Sequence, residues 1–509
     1  MTKTQNHREL KVMKNIWIFL FIFFQIFSYS FAQSSFLSDY PEVTDDIHVI
    51  ETWISAQMEY YNLPGLSVGV VYDQELIWSK GFGYADVEKK TPATAETIYR
   101  IASITKLFTC TAIMQLWDQG KLRLDDPIQK YLPWFKIKNR YPDAPAITIR
   151  HLMTHTSGLP REAAFPYWTD HKFPTVEEII EALPDQETTY PSETKWKYSN
   201  LGMSLLGQIV VAASGEDYEP YIQNHILRPL DMNSTCVHLT DEHKKRLATG
   251  YGRRLADDTR KIMEVSEYKG MTPAASISST VEDLAKFASF QFRDGKESGN
   301  QILKTTTLRE MQRVHWLQPS WKSGWGLGFS VWHRDDKTFV GHSGWVAGYR
   351  TQLMLCTDDK IGVIVMSNAE DGSPSFFANK IFDVIASAIR KVTEPPAKIV
   401  EFNPVWKNYV GKYSDPFDCE YEVMILNNEL VLYGFSYPPE DNPKAGIIQL
   451  TPEDKHTFRM TGDSGNGELL IFELDERGKV KRVKKGENFI YPIKNPGNYS
   501  APPDSKPSR

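Results

Sequence analysis

Ser103 and Lys106 stand three residues apart in the stretch RIASITKLFTC. A serine hydroxyl is a weak nucleophile and needs a base within hydrogen-bond reach. On a helix, positions i and i+3 share a face, so a helix starting here sets the Lys106 amine beside the Ser103 oxygen. The first turn adds positive potential that favours negative charge developing on that oxygen. Burial of the lysine disfavours its charged form and makes the amine a better base. A serine at a helix start is also a common cap, so Ser-x-x-Lys alone decides nothing. Acyl transfer further requires an acid for the leaving group and donors for an oxyanion.

Two other segments carry such groups. KWKYSNLGMSLLGQIV places Tyr198 and Asn200 just before a predicted helix. A phenol near a lysine can relay a proton, and an asparagine amide can hold a substrate carbonyl. VGHSGWVAGYR places His342, Ser343 and Gly344 on a predicted strand. Gly344 would let a substrate approach the backbone closely. The Trp345 amide could then pair with that of Ser103 as oxyanion donors.

The elements that must position these groups follow from periodicity. GLSVGVVYDQELIWSKGFGYAD predicts two antiparallel strands with a turn at Asp73–Gln74–Glu75. From Ile104 to Trp117 apolar residues fall at helical spacing until Gly120, giving a helix apolar nearly all round and therefore buried. The text from about Asp125 to Val265 is helical and loop-rich. Thr280 and Asp283 are spaced like a capping box before another helix. Strands return after Gly324, and a last helix runs from about Pro374 to Val392. Strands thus begin and end the region, which predicts an α+β fold: one antiparallel sheet built from both chain ends, flanked by helices, with an inserted helical subdomain. Beyond a Pro-containing linker at 393–404, residues 405–494 read as a small all-β barrel or sandwich. The tail, 495–509, reads as disordered.

Taken in order and in context, SITK, YSN and HSG resemble the Ser-x-x-Lys, Tyr-x-Asn and Lys/His-x-Gly boxes of the serine β-lactamase and penicillin-binding-protein superfamily. The closest branch holds class C β-lactamases, D-aminopeptidases and related esterases. ITIRHLMTHTSGLP, SSTVEDLAKF and WGLGF are similar to further landmarks of that family, and the resemblance covers about Val43 to Val392. It implies a β-lactamase/transpeptidase-like fold and an acyl-enzyme mechanism without metal or cofactor. Ser103 would be the nucleophile, Lys106 its base and Tyr198 the proton-transfer partner. Asn200, His342 and Gly344 would bind substrate, and the Ser103 and Trp345 amides would form the oxyanion site. Strand pattern and YVGKYSD make the C-terminal region resemble a lipocalin-like β-domain.

Some features depart from the pattern. His342 replaces a permanent cation; it would contact a substrate carboxylate or the Tyr198 hydroxyl, and could set a pH dependence. Trp345 is bulky beside the oxyanion site. AASIS, Ala274 to Ser278, stands where relatives carry an Ala-Gly-Gly turn. These departures favour an esterase or a hydrolase of D-amino-acid and small peptide substrates over an efficient β-lactamase. The alternative is a non-hydrolytic envelope protein that captures penicillin or cell-wall peptides.

Other readings are weaker. His151 and His155 are i, i+4 as in a zinc helix, but the accompanying glutamate is missing and the helix breaks at Gly158. GHSGW lacks the last glycine of a nucleophile elbow, and the parallel repeats of an α/β-hydrolase are absent. With 509 residues the chain is too long for one core. Residues 1–32 combine a basic flank, the apolar run IWIFLFIFFQIF and small residues before Ala32, the pattern of a secretion signal. Its removal would leave no membrane span and a net charge of about −9, from −6 for the whole chain. An acidic chain without a basic stripe argues against nucleic-acid binding. Four scattered cysteines make no disulfide framework. The expected setting is a bacterial envelope, periplasmic or secreted, and the oligomeric state is open.

Overall fold

The computed structural model describes residues 35–493, apart from 296–298, 335, 394–402, 418, 427, 436–445 and 463–464. The predicted signal, the tail and most of the linker lie outside the described residues. Among those described, no helix is long and apolar enough to cross a membrane. The chain divides after Thr393 into two compact units.

The first unit is built on a nine-stranded sheet. Its strands are β1 (Gly65–Tyr72), β2 (Glu75–Asp86), β3 (Thr91–Pro92), β4 (Trp316–Leu317), β5 (Ser323–Trp325), β6 (Ser330–Arg334), β7 (Lys337–Val346), β8 (Tyr349–Cys356) and β9 (Ile361–Ser367). The order is β3-β2-β1-β9-β8-β7-β6-β5-β4, antiparallel throughout. β1 lies against β9 with Leu66 opposite Ser367, so strands from both ends of the unit meet at the centre of the sheet. The β1–β2 hairpin reverses at Asp73, whose φ of 49° is one that aspartate tolerates.

The five longest helices are α1 (Glu42–Tyr61), α2 (Thr105–Asp118), α3 (Asn200–Ser214), α4 (Val281–Phe292) and α5 (Pro374–Thr393). The sheet separates two cores. Val68, Val70, Val363 and Val365 pack with α1 and α5 on one face. Val71, Ile364 and Met366 pack with α2, α3 and α4 on the other. Burial on both faces explains why β1 and β9 are nearly continuous apolar runs rather than alternating ones. The helix predicted from Ser103 begins with a 3-10 turn, Ala102–Ile104, before α2. Every residue from Thr105 to Leu116 is buried, so α2 is the central helix of its core. Only half of the expected capping box forms at α4. The Thr280 hydroxyl accepts the Asp283 N–H at 3.1 Å, but the Asp283 carboxylate accepts Ser234 N–H and the Thr235 hydroxyl instead.

The second unit is a closed eight-stranded antiparallel barrel, β10 (Gly411–Ser414) to β17 (Asn488–Pro492), in which first and last strands pair at Tyr413–Pro492. Its interior is filled by side chains including Tyr409, Val423, Leu432, Phe458 and Phe472, with Tyr409 stacked on Phe472 at 4.1 Å. Of the two forms expected from the strand pattern, the barrel is the one present.

Candidate active site

Ser103 sits in the 3-10 turn that enters α2. The residue before it, Ala102, has φ +50°, a conformation disfavoured by a β-carbon and kept only where surroundings over-determine it. Ile101 supplies that restraint. Its N–H bonds Ile277 O at 3.0 Å, and its carbonyl accepts Ile104 N–H at 3.1 Å and the Thr351 hydroxyl at 3.2 Å. As a first-turn residue, Ser103 has an N–H without an intrahelical acceptor.

Lys106 is fully buried one turn on. Its Nζ donates to Ser103 Oγ at 3.1 Å and to Ala274 O at 2.8 Å. Burial pushes its pKa down to about 7, against an opposing pull from the Glu162 carboxylate. The amine is therefore partly unprotonated at neutral pH, and in that state the Ser103 contact reverses, the hydroxyl donating to the nitrogen lone pair. AASIS, expected as a differently shaped cleft wall, holds the lysine through Ala274 O and ties Ile277 N–H to the Thr105 hydroxyl at 3.0 Å.

Tyr198 lies over this pair, its ring centroid 4.8 Å from Lys106 Nζ and 5.0 Å from the Arg161 guanidinium carbon. Burial raises the phenol pKa, so Tyr198 keeps its proton and is an acid rather than a base. His155 packs on the ring at 4.4 Å, and its Nδ1 accepts Ser199 N–H at 3.2 Å. Burial, with Lys106 nearby, holds His155 well below the ordinary imidazole range. The histidine that sequence spacing put beside a zinc pattern thus supports Tyr198. His151 is turned away into the cap of the short helix Ile149–Met153.

His342 is buried, and burial pushes its pKa down to about 3. Its Nδ1 is 2.6 Å from Ser343 O, so Nδ1 must carry the proton and donate. Nε2 is then a lone pair, buried and without a partner among the described residues. The ring is neutral in this state and Nε2 is an acceptor, which does not favour a carboxylate. The alternative contact, with the Tyr198 hydroxyl, suits the chemistry; the two ring centroids are 6.2 Å apart.

Asn200, the first residue of α3, is buried to 5% exposure, and its Nδ2 donates to Glu162 Oε1 at 2.8 Å. A β-carbon at Gly344 would lie 2.2 Å from both Ile101 O and Thr351 Oγ1, so the glycine lets β7 pass against the turn that carries Ser103. Gly344→Ala will lower stability by on the order of 3 kcal/mol, read as a fall in denaturant midpoint at unchanged slope; an unchanged midpoint would contradict this packing.

Trp345 pairs with Arg350 one step from a two-residue hairpin closed by Val346 and Tyr349. The alternation of an antiparallel ladder makes Trp345 a non-hydrogen-bonded position, so its N–H points away from β8. β6 ends opposite Gly341, so that edge of β7 is open. The indole is 60% exposed and carries the Arg350 guanidinium at 4.2 Å.

Two cavities meet at Ser103. One, of about 590 Å³, is lined by Tyr198, His342, Trp196, Trp325, Trp332 and Arg350. The other, of about 420 Å³, is lined by Asn200, Glu162, Trp168, Phe173, Tyr268 and Glu264. Ser103, Arg161 and Trp345 line both. The arrangement sets a serine hydroxyl beside a buried amine and a phenol, groups that can serve acyl transfer as nucleophile, base and acid, with room on either side of Ser103. Ser103, Lys106, Tyr198, Asn200, His342, Gly344 and Trp345 all converge here. The sequence reading did not place Arg161, Glu162 or Trp325 at the site, and gave His155 only the weak zinc reading. Arg161 and Glu162 directly follow THTSGLP, and that adjacency was their only signal. Among the described residues, no cluster of histidine, cysteine and carboxylate side chains could hold a metal ion.

The family model described as beta-lactamase matches residues 50–388. The chain is 31% identical to Beta-lactamase-like protein 2 of Dictyostelium discoideum over 461 residues, covering 84% of this chain and 82% of that protein. It is 29% identical to Protein flp of Staphylococcus aureus strain MW2 over 324 residues, 64% of this chain and 63% of that protein. Among solved structures, the octameric penicillin-binding protein homologue from Pyrococcus abyssi superposes with a TM-score of 0.59 at 27% identity, covering 87% of this chain and 99% of that one.

Proposed function

The chain belongs to the β-lactamase family, and from that premise we propose that it is a serine hydrolase forming an acyl-enzyme on Ser103. The observation that carries the reading is the buried Lys106 amine, 3.1 Å from Ser103 Oγ and brought to a pKa of about 7. Unprotonated Lys106 takes the Ser103 proton as Oγ attacks a carbonyl carbon. The oxyanion is held by the Ser103 and Trp345 N–H groups. The proton passes to the leaving group through the Tyr198 hydroxyl, with His342 Nε2 as a lone pair on which that phenol can rest between transfers. Water then attacks the acyl carbonyl by the same route in reverse.

The proposed substrates are small esters, amides or D-amino-acid peptides. Neutral His342 and bulky Trp345 favour these over β-lactams, whose carboxylate seeks a cation at the His342 position. Residues 1–32 are proposed as an export signal to a bacterial envelope. Hydrolysis of nitrophenyl esters of simple acyl groups tests the assignment: the wild type turns over and Ser103→Ala falls to background. Equal rates would defeat it.

A pH profile follows from the same geometry. Below about 7, kcat/KM will fall close to tenfold per pH unit as Lys106 becomes protonated, and above it the rate levels off. His342→Ala will change the height of the profile and leave its inflection in place. An inflection that vanished in His342→Ala would make the imidazole the titrating group.

A further inference from the structure

Tyr198, the acid of the proposed reaction, lines the first cavity and not the second, so a leaving group that takes its proton lies in the first. Four of the chain's 13 tryptophans, Trp196, Trp325, Trp332 and Trp345, line that cavity. Trp325 is only 8% exposed. Its Nε1 and that of Trp196 are buried and have no acceptor among the described residues. The two indoles are neighbours, with ring centroids 5.3 Å apart. An indole N–H can only donate, and a buried one ordinarily has a partner. The group that enters the cavity must therefore bring oxygen acceptors as well as apolar surface for the rings. Among the described residues no carboxylate lines the cavity, and its two arginines are engaged. Arg161 Nε meets Glu162 Oε1 at 3.1 Å; Arg350 Nε donates to Glu370 O at 2.9 Å while its guanidinium lies on the Trp345 ring. Gln352 and Ser375 add a polar wall, held in order by a 2.7 Å hydrogen bond from the Ser375 hydroxyl to Gln352 Oε1.

We propose that the first cavity is a sugar site: the substrate is an ester of a carbohydrate hydroxyl, and the sugar is the leaving alcohol. A sugar ring offers a C–H face to tryptophan and hydroxyl oxygens that accept from Trp325 and Trp196 Nε1. A peptide carbonyl could accept from an indole but brings no ring face for the tryptophans. A carboxylate meets arginines that are already engaged. An aryl group has the face without the acceptors. At about 590 Å³ the cavity has the size of a small-molecule site. In the reaction, Ser103 Oγ bonds to the acyl carbon, the bond from that carbon to the sugar oxygen breaks, and this oxygen takes its proton through the Tyr198 hydroxyl. The inference rests on the Ser103 acyl-enzyme reading and adds the class of the leaving group.

The test compares butyryl esters of four alcohols on the full chain: methyl glucoside and methyl N-acetylglucosaminide, each esterified at O6, cyclohexylmethanol, and lactate. All leave the same acyl-enzyme. Dividing each kcat/KM by the hydroxide-catalysed rate of the same ester removes intrinsic differences between the leaving groups. At least one sugar ester should exceed the cyclohexylmethyl ester by roughly ten to a hundredfold. Trp325→Phe keeps the ring and removes the N–H, so that ratio should fall towards one whatever absolute rate remains. Trp345→Ala removes a ring face and should lower it as well. A general loss of structure would slow all four esters together and leave the ratio. A cyclohexylmethyl ester cleaved as fast as both sugar esters would overturn the inference. So would a ratio unchanged in both variants. A lactate ester faster than either sugar ester would make this a carboxylate site and overturn it too. Nitrophenyl butyrate, with the adduct followed by intact mass, keeps the two readings apart. An adduct on Ser103 without any sugar preference would overturn this inference alone; no adduct and no turnover of any ester would remove the Ser103 reading with it.

Discussion

Lys106→Met will slow acylation of Ser103 by roughly a thousandfold while the protein stays folded. Methionine has nearly the shape of the lysine stem and adapts to an apolar site, so the core around α2 keeps its packing. What disappears is the side-chain nitrogen that contacts Ser103 Oγ at 3.1 Å. Tyr198 cannot replace it as a base, because burial keeps its phenol protonated. His155 and His342 are held neutral by burial, but their packing sets them around Tyr198 rather than on the serine. The residual rate should lose its inflection near pH 7. Single-turnover acylation across pH, with a melting curve on the same sample, checks both halves. A variant that acylated at the wild-type rate would show that Lys106 is a buried structural amine and that the base lies elsewhere.

Tyr198→Phe will separate substrates by leaving group. An amide nitrogen must be protonated as it departs, and the Tyr198 hydroxyl is the acid placed to do so, so amide cleavage should fall by a hundredfold or more, on the order expected for a lost general acid. A nitrophenolate leaves without a proton, so acylation by nitrophenyl esters should fall far less. The ring packing survives the change, since His155, Arg161 and Lys106 touch the ring and not the oxygen. Equal losses on amide and activated ester would instead assign the phenol to activating Ser103. Measuring kcat/KM for a matched amide and ester pair distinguishes the two.

Much of this site was legible in the sequence because chemistry forces particular residue types into particular local settings. SITK must sit at the start of a buried helix for the pair to work, and the nearly unbroken apolar character of α2 announced that burial. The sheet from both chain ends was readable from alternation and apolar runs. Orientation was not readable. His342 looked like a titrating switch because its type suggests one, whereas its protonation state depends on burial and on which ring nitrogen meets Ser343 O. Gly344 looked like an opening for substrate because glycine signals close approach, but sequence cannot say whether the approaching atom belongs to substrate or to Ile101. Asn200 carried the right residue at the right place, and only the carboxylate of Glu162, distant in sequence, decides which end of its amide is presented. The strained Ala102 left no trace in composition, since alanine does not advertise a positive φ.

Intact mass spectrometry after rapid mixing with an activated acyl ester shows whether Ser103 becomes acylated. One acyl addition is expected, located by proteolysis in the peptide containing SITK, forming faster as pH rises through 7 and absent from Ser103→Ala. No adduct in the wild type across several acyl groups, or the same adduct persisting in Ser103→Ala, would contradict it.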